Sequence, residues 1–199
     1  MNRNIIFKDK KIFIKEKENN KLKEWDPFRS KIAAGIKKGI DLDIKENQKI
    51  LYLGAAEGYT ISFISEIIDK GEVYGIDISP YSMQKLLLLS KKKENLIPIL
   101  GDCNRPEEYQ DLLKAKFDCI VQDIAQKNQA EIVIKNSDLF LKEKGIIILS
   151  LKLSAISQKN YRKTTEDQLT LLRKKFNILN QKRLDPFEKN HVLIVAQKK

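Results

Sequence analysis

Gly54, Gly58 and Asp77 are spaced as the parts of a nucleoside site. The apolar run Ile50-Leu51-Tyr52-Leu53 has the length of a strand and stops at Gly54. Ala55, Ala56 and Glu57 follow, Gly58 closes the turn, and a helical pattern begins at Tyr59-Thr60. A second apolar run, Val73-Tyr74-Gly75-Ile76, ends at Asp77. A strand, a glycine-bounded turn, a helix and an acid closing the next strand bring backbone close to a ligand and aim a carboxylate at ribose hydroxyls. The turn is G-x-x-x-G, so it lacks the closely spaced glycines that hold a dinucleotide pyrophosphate at a helix N-terminus. It suits a nucleoside without phosphate, and S-adenosylmethionine, with its cationic amino-acid tail, is the predicted cofactor. A plain strand-to-helix turn would use the same glycines, so further groups have to be found.

Ligands of an open parallel sheet lie beyond the carboxyl ends of its strands. Those ends carry Gly54 to Thr60, Asp77-Ile78, Gly101-Asp102-Cys103, Gln122-Asp123-Ile124-Ala125-Gln126 and Ser150-Leu151-Lys152. An antiparallel last strand would start at the same edge and bring His191 there. Each residue has an ordinary role open to it: the aspartates as caps or turn residues, Lys152 as a solvated lysine, His191 as a strand-edge histidine. Four acids, a lysine and the chain's one histidine on a single edge are less readily explained one by one, and such an edge favours perturbed pKa values.

The elements that must position these groups can be read from the pattern. Ile5-Ile6-Phe7 and Ile12-Phe13-Ile14 flank a charged turn and predict a hairpin, with residues 15–23 a linker. Ile32, Ala33 and Ile36 recur at helical spacing within 28–38, and Gly39 stops the helix. Strands are predicted at 49–53, 73–77, 96–100, 117–121 and 145–151, with helices at 59–69, 80–93, 106–114 and 127–141 between them. Alternation of this kind gives a parallel sheet covered on both faces. After a helix at 161–175, extended runs at 176–184 and 192–196 are joined by only Asp185-Pro186-Phe187-Glu188-Lys189-Asn190, too short for a parallel crossover, so they pair antiparallel. The fold class predicted is α/β: a seven-stranded, Rossmann-like sheet of the S-adenosylmethionine-dependent methyltransferase type with an antiparallel last strand. Residues 1–24 form a short β appendage and 25–199 the methyltransferase domain.

The chain has 199 residues, 42% of them hydrophobic, enough for a substantial core. No apolar run has the roughly 20 residues of a membrane span, and the N-terminus lacks a secretory apolar core. A soluble, cytoplasmic protein without a membrane partner is expected. Two cysteines, Cys103 and Cys119, read as buried thiols, and with a single histidine no familiar metal-ligand spacing can be assembled, so no metal is expected. The formal charge of +11 favours a polyanionic partner, without distinguishing RNA from DNA.

Four segments in order carry a resemblance. Trp25-Asp26-Pro27-Phe28-Arg29-Ser30-Lys31-Ile32-Ala33-Ala34, Tyr52-Leu53-Gly54-Ala55-Ala56-x-Gly58-x-Thr60, Asp123-x-Ala125-Gln126 and Asp185-Pro186-Phe187-Glu188-Lys189-Asn190-His191 resemble fibrillarin in its archaeal form. The resemblance covers most of the chain from Trp25 onward. It implies a guide-RNA-dependent 2′-O-methyltransferase acting on ribosomal or transfer RNA. The setting implied is a box C/D ribonucleoprotein with guide RNA, a Nop-domain scaffold protein and a kink-turn-binding protein. Cofactor contacts are implied at Tyr59, Thr60, Asp77, Ile78, Asp102, Cys103, Asp123, Ile124, Ala125 and Gln126, beside the turn residues Gly54 and Ala55. A catalytic set is implied at Lys31, Asp123, Lys152 and His191. The chain departs from the family's usual threonine at Tyr59, glutamate at Asp77 and alanine at Cys103, and its N-terminal appendage is shorter.

The chemistry implied is in-line displacement at a sulfonium methyl by a weakly nucleophilic ribose hydroxyl, which must be aligned and relieved of its proton. Lys152 is expected to orient and deprotonate the hydroxyl, with Lys31 as the nearby cation that favours a neutral amine. Asp123 is expected to position Lys152, and His191 to orient the hydroxyl or the adjacent phosphate. Rival readings are a stand-alone RNA 2′-O-methyltransferase, a non-catalytic RNA-binding subunit on this fold, and a nicotinamide oxidoreductase. His191 argues against the first, the intact lysines and Asp123 against the second, and the missing G-x-G-x-x-G against the third.

Overall fold

Strand β4 (Lys49–Leu53) shows how the molecule is layered. Side chains alternate across a strand, and here both faces are covered: Ile50 and Tyr52 enter one core, Leu51 and Leu53 the other. The computed structural model describes residues 4–113 and 115–199. Its main sheet has seven strands in the order β6-β5-β4-β7-β8-β10-β9. These are β5 (Glu72–Asp77), β6 (Leu96–Leu100), β7 (Phe117–Gln122), β8 (Leu141–Lys152), β9 (Phe176–Arg183) and β10 (His191–Lys198). Neighbours from β6 through β8 are parallel, while β10 runs antiparallel to both β8 and β9. The predicted fold class therefore holds, including the antiparallel closing strand.

Helices α1 (Lys31–Lys37), α2 (Tyr59–Ile67) and α3 (Pro80–Ser90) cover one face through Ile32, Ile64 and Leu86. Helices α4 (Gln129–Phe140) and α6 (Tyr161–Arg173) cover the other through Val133 and Leu169. Chain order leaves β4 toward β5 and β6 on one side and returns to β7 on the other, which opens a crevice at the carboxyl ends between β4 and β7.

Several elements differ from expectation for local reasons. The N-terminal hairpin, β1 (Ile5–Lys8) and β2 (Lys11–Lys15), gains a third strand, β3 (Leu22–Glu24), inside the run read as a linker. Residues 1–3 of the predicted appendage lie outside the described residues. Ile12, Ile14 and Trp25 belong to the α1–α3 core, and Trp25 stacks on Phe63 of α2 with centroids 5.1 Å apart. Helix α1 begins at Lys31 because Asp26 first makes a turn, its carboxylate accepting from the Phe28 amide at 2.8 Å, and Ser30 then caps the helix. Residues Pro106–Leu112 form a 3-10 helix, and the last residue of the predicted 106–114 helix lies outside the described residues. Strand β8 starts directly after α4, with a register shift against β7 and a left-handed Lys144 where the polar run 142–145 bulges. A short helix unforeseen in the sequence, α5 (Leu153–Ile156), follows Lys152. Cys103 and Cys119 are free, buried thiols, as expected. No helix among the described residues is long and apolar enough to cross a membrane.

Candidate active site

The glycine turn between β4 and α2 is held in left-handed backbone at Gly54 (φ +80°), Ala56 (φ +48°) and Gly58 (φ +96°). A Cβ at Gly54 would lie 2.5 Å from the Asp123 carbonyl oxygen, so only glycine lets the ends of β4 and β7 approach this closely. The amides of Gly54 and Ala55 both donate to the Ile76 carbonyl, at 2.9 and 3.0 Å, which ties the turn to β5. No side chain caps Gly58, so the first amides of α2 are left to a ligand or water.

Asp77 is fixed from both sides. One carboxylate oxygen accepts from the Ala56 amide at 2.8 Å and the other from the Ser79 amide at 2.9 Å. The carboxylate thus serves the turn and still has lone pairs for ribose hydroxyls. Beside it Ile78 is 61% exposed, an apolar surface at the mouth of the crevice. Asp102 accepts from the Asn104 amide at 2.9 Å, and the Asn104 side chain donates to Gln126 at 2.6 Å, joining the loops after β6 and β7. Cys103 lies against the Gly54 backbone, and burial pushes its thiol up to about 12. Ile124 packs against Gly54, and Ala125 is exposed at the edge.

Tyr59 and Thr60 turn toward the segment before α1. The Tyr59 ring lies under the Arg29 guanidinium, 4.1 Å from its centroid, and its hydroxyl accepts from the Asp26 amide at 3.4 Å. Thr60 donates to Ser30 Oγ at 3.1 Å, and Ser30 accepts from the Ala33 amide as the cap of α1. Thr60 also bonds the hydroxyl of Tyr52, which is fully buried and whose pKa is raised well above the ordinary value by burial and by the Asp123 charge. Their side chains therefore fasten the start of α1, and with it Lys31, to the glycine turn.

Lys31 Nζ stands 3.2 Å from Asp123, with the two side chains 26% and 24% exposed. A pair this exposed contributes at most about 1 kcal/mol, so its value lies in placement rather than stability. The carboxylate expected to position Lys152 is therefore on Lys31 instead. Lys152 ends β8 directly opposite His191, the first residue of β10. Partners in register share a sheet face. His191 is buried, and Nδ1 donates to the Lys189 carbonyl at 2.8 Å, which leaves Nε2 of the neutral ring as an acceptor. Burial lowers its pKa, the Lys189 carbonyl opposes that, and the charge of Lys31 lowers it further. Residues 31, 123, 152 and 191 are thus gathered from four elements onto one edge next to the glycine turn.

The sequence assigns no role to four residues that hold these in place: Ser30, Tyr52, Asn104 and Gln129. Tyr52 sits inside an apolar run and reads as core, whereas a hydroxyl in a doubly covered strand was the available signal. Gln129 is fully buried and brackets the backbone of Lys152, its Oε1 accepting from the amide at 2.8 Å and its Nε2 donating to the carbonyl at 3.1 Å.

The model of one family, Fibrillarin, matches residues 1–199. A fibrillarin-like rRNA/tRNA 2′-O-methyltransferase of Methanocaldococcus jannaschii is 43% identical over 175 residues, covering 86% of this chain and 76% of that relative. Among solved structures, the fibrillarin/Nop5p complex superposes with a TM-score of 0.94 at 35% identity, over 99% of this chain and 98% of that one. Fibrillarin of Aeropyrum pernix with natively bound S-adenosyl-L-methionine gives 0.84 at 32% identity, over 94% and 88% of the two chains.

Proposed function

The chain belongs to the fibrillarin family, and on that premise we propose that it methylates ribose 2′-hydroxyls of RNA, using S-adenosylmethionine and directed by a guide RNA. The observation that carries the reading is the convergence of Lys31, Asp123, Lys152 and His191 on the edge that also holds the glycine turn and Asp77. The residues present fit the cofactor. Asp77, already oriented by two amides, would take the ribose; Ile78 would cover the base. The uncapped start of α2 would meet the carboxylate of the methionine part. Asp123, whose backbone lies against Gly54, would offer its negative charge to the sulfonium. When bound, S-adenosylmethionine supplies an electrophilic methyl group on a good, neutral leaving group.

The chain's own residues then do three things. His191 Nε2 accepts from a water that meets the ribose or the neighbouring phosphate, holding the ribose in place. Lys152, opposite His191 in register, would take the proton of the 2′-hydroxyl as the oxygen commits to attack. Lys31, neutralised in part by Asp123, draws the RNA backbone toward this edge. Alignment of the oxygen supplies much of the acceleration, and the lysine and the histidine sit on paired strands that hold them in register.

We place this activity in a ribonucleoprotein in which base pairing between guide and target selects the nucleotide, held by a Nop-domain scaffold and a kink-turn-binding protein. The Nop5p complex of a close structural relative supports a scaffold partner. Phosphate contacts carry no sequence information, so the chain's +11 charge attracts RNA without choosing a site. The test is methyl transfer to a guide-matched RNA with and without guide and scaffold, followed by digestion to nucleosides. A 2′-O-methyl nucleoside formed only in the assembly is expected; a base-methylated product, or no product, would refute the reading.

A further inference from the structure

Strand β8 outruns its neighbour. The pairing of β7 with β8 ends at Gln122 opposite Leu149, while β8 continues to Lys152. Beyond that point the backbone of Lys152 has β10 on one side, through His191, and no strand among the described residues on the other. Buried backbone groups left without partners are costly, and the side chain of Gln129 takes the place of the missing strand. Its Oε1 accepts from the Lys152 amide at 2.8 Å and its Nε2 donates to the Lys152 carbonyl at 3.1 Å, the donor–acceptor pair that a β neighbour would offer. The same Nε2 donates to the Gln126 carbonyl at 2.6 Å. Gln122, at the end of β7, donates in turn to the Gln129 carbonyl at 2.8 Å, which fixes the first residue of α4.

A continuous path of hydrogen bonds results. It runs from the Asp102 carboxylate through Asn104 to the Gln126 side chain, and from the Gln126 carbonyl through Gln129 to Lys152. Its first part lies on the cofactor side of the crevice and its end is the backbone of the lysine that faces His191. Gln129 itself is fully buried.

We propose that Gln129 is a positioning residue that sets Lys152 against the cofactor loop, so that the loop after β7 and the proton-accepting lysine move as one unit. This rests on the role given to Lys152 above. A glutamine amide is suited to the task because one planar group offers a donor and an acceptor side by side.

A purely structural glutamine would weaken the protein whatever stood at position 152, whereas a positioning residue acts only through Lys152. The experiment is a double-mutant cycle of Gln129→Met, which keeps an unbranched side chain of similar length, with Lys152→Ala. Single-turnover methyl transfer is measured in the guide-containing assembly and S-adenosylmethionine affinity by calorimetry. Gln129→Met is expected to slow transfer by roughly tenfold or more with affinity kept within about threefold, and to slow the Lys152→Ala variant by less than about twofold. Equal penalties in both backgrounds, or affinity falling in step with rate, would overturn the proposal. If Gln129→Met does not fold, Gln129→Glu keeps the shape and the acceptor but sets an oxygen against two carbonyls, and the same cycle applies to it.

Amide hydrogen exchange on the full-length chain alone gives a second readout. S-adenosylmethionine is expected to slow exchange at the Lys152 amide in the unaltered protein and to leave it unchanged in Gln129→Met. Slowing of equal size in both contradicts the coupling. Failure of the unaltered protein to methylate a guide-matched RNA would count against the guide-directed reading, and the exchange result would still decide this one.

Discussion

Around Asp77 the sheet edge is made of backbone, whereas around Lys152 it is made of charged side chains. On the cofactor side the turn is shaped by left-handed residues, two amides grip one carboxylate, and Gly54 passes within contact of β7. On the acceptor side Lys31 lies more than a hundred residues of chain before Lys152 and His191, and their spacing depends on register and on buried amides. The difference suits the two tasks proposed for these residues. Holding a nucleoside calls for fixed donors and acceptors that cost nothing to reorganise. Moving a proton calls for groups whose ionisation responds to burial and to neighbouring charge.

The comparison predicts that the two sides can be damaged separately. Lys152→Ala is expected to reduce methyl transfer by a factor of at least about 100 while cofactor affinity stays within about threefold. Calorimetry and single-turnover kinetics on the same preparation check it, and a near-normal rate would return Lys152 to the role of a solvated lysine. Gly54→Ala is expected to hurt both sides at once, since the new Cβ would press on the Asp123 carbonyl in a left-handed backbone, a strain of about 1–3 kcal/mol. Thermal denaturation and cofactor titration should fall together; a variant that loses neither would break the claim that this contact sets the crevice. Asp77→Ala is expected to weaken S-adenosylmethionine roughly ten- to a hundredfold through loss of charge-assisted bonds worth about 1.5–3 kcal/mol. Unchanged affinity would remove Asp77 from the ribose.

The smallest effect expected is on pH dependence. Burial lowers the folded-state pKa of His191 below its unfolded value, so the unfolded chain binds the proton more readily. Stability from the neutral imidazole is thus present above the ordinary histidine range and is lost as pH falls through that range toward the folded-state value. Denaturation midpoints measured across that window should fall with pH less steeply in His191→Gln than in the unaltered chain. A parallel decline in both would contradict the assignment of a buried, neutral ring.

The cofactor side was legible in the sequence because its parts are local. The apolar run 50–53, the two glycines and Asp77 lie within one strand-turn-helix-strand unit. Lys152, Asp123 and His191 could be placed at the edge because parallel strands share a direction and the short 185–190 connection forces an antiparallel close. What held them was not legible. Gln129 lies 23 residues from Lys152, and nothing in the intervening chain marks a side chain that replaces a strand. The pairing of Asp123 with Lys31 was missed for a similar reason, since it depends on Thr60 and Ser30 seating the start of α1. Strand β3 and helix α5, with three and four residues, are too short for periodicity to reveal.

Phosphate contacts carry no sequence information, and the proposed function leaves target choice to base pairing with the guide. The direct measurement is to assemble the chain with scaffold proteins and two guides that pair with the same RNA in registers displaced along it, and to map 2′-O-methyl groups on the product. The account predicts one methylated ribose for each guide, displaced by the same number of nucleotides as the guide, and none from the chain alone. The same nucleotide methylated with both guides, or a single site methylated by the isolated chain, would contradict it.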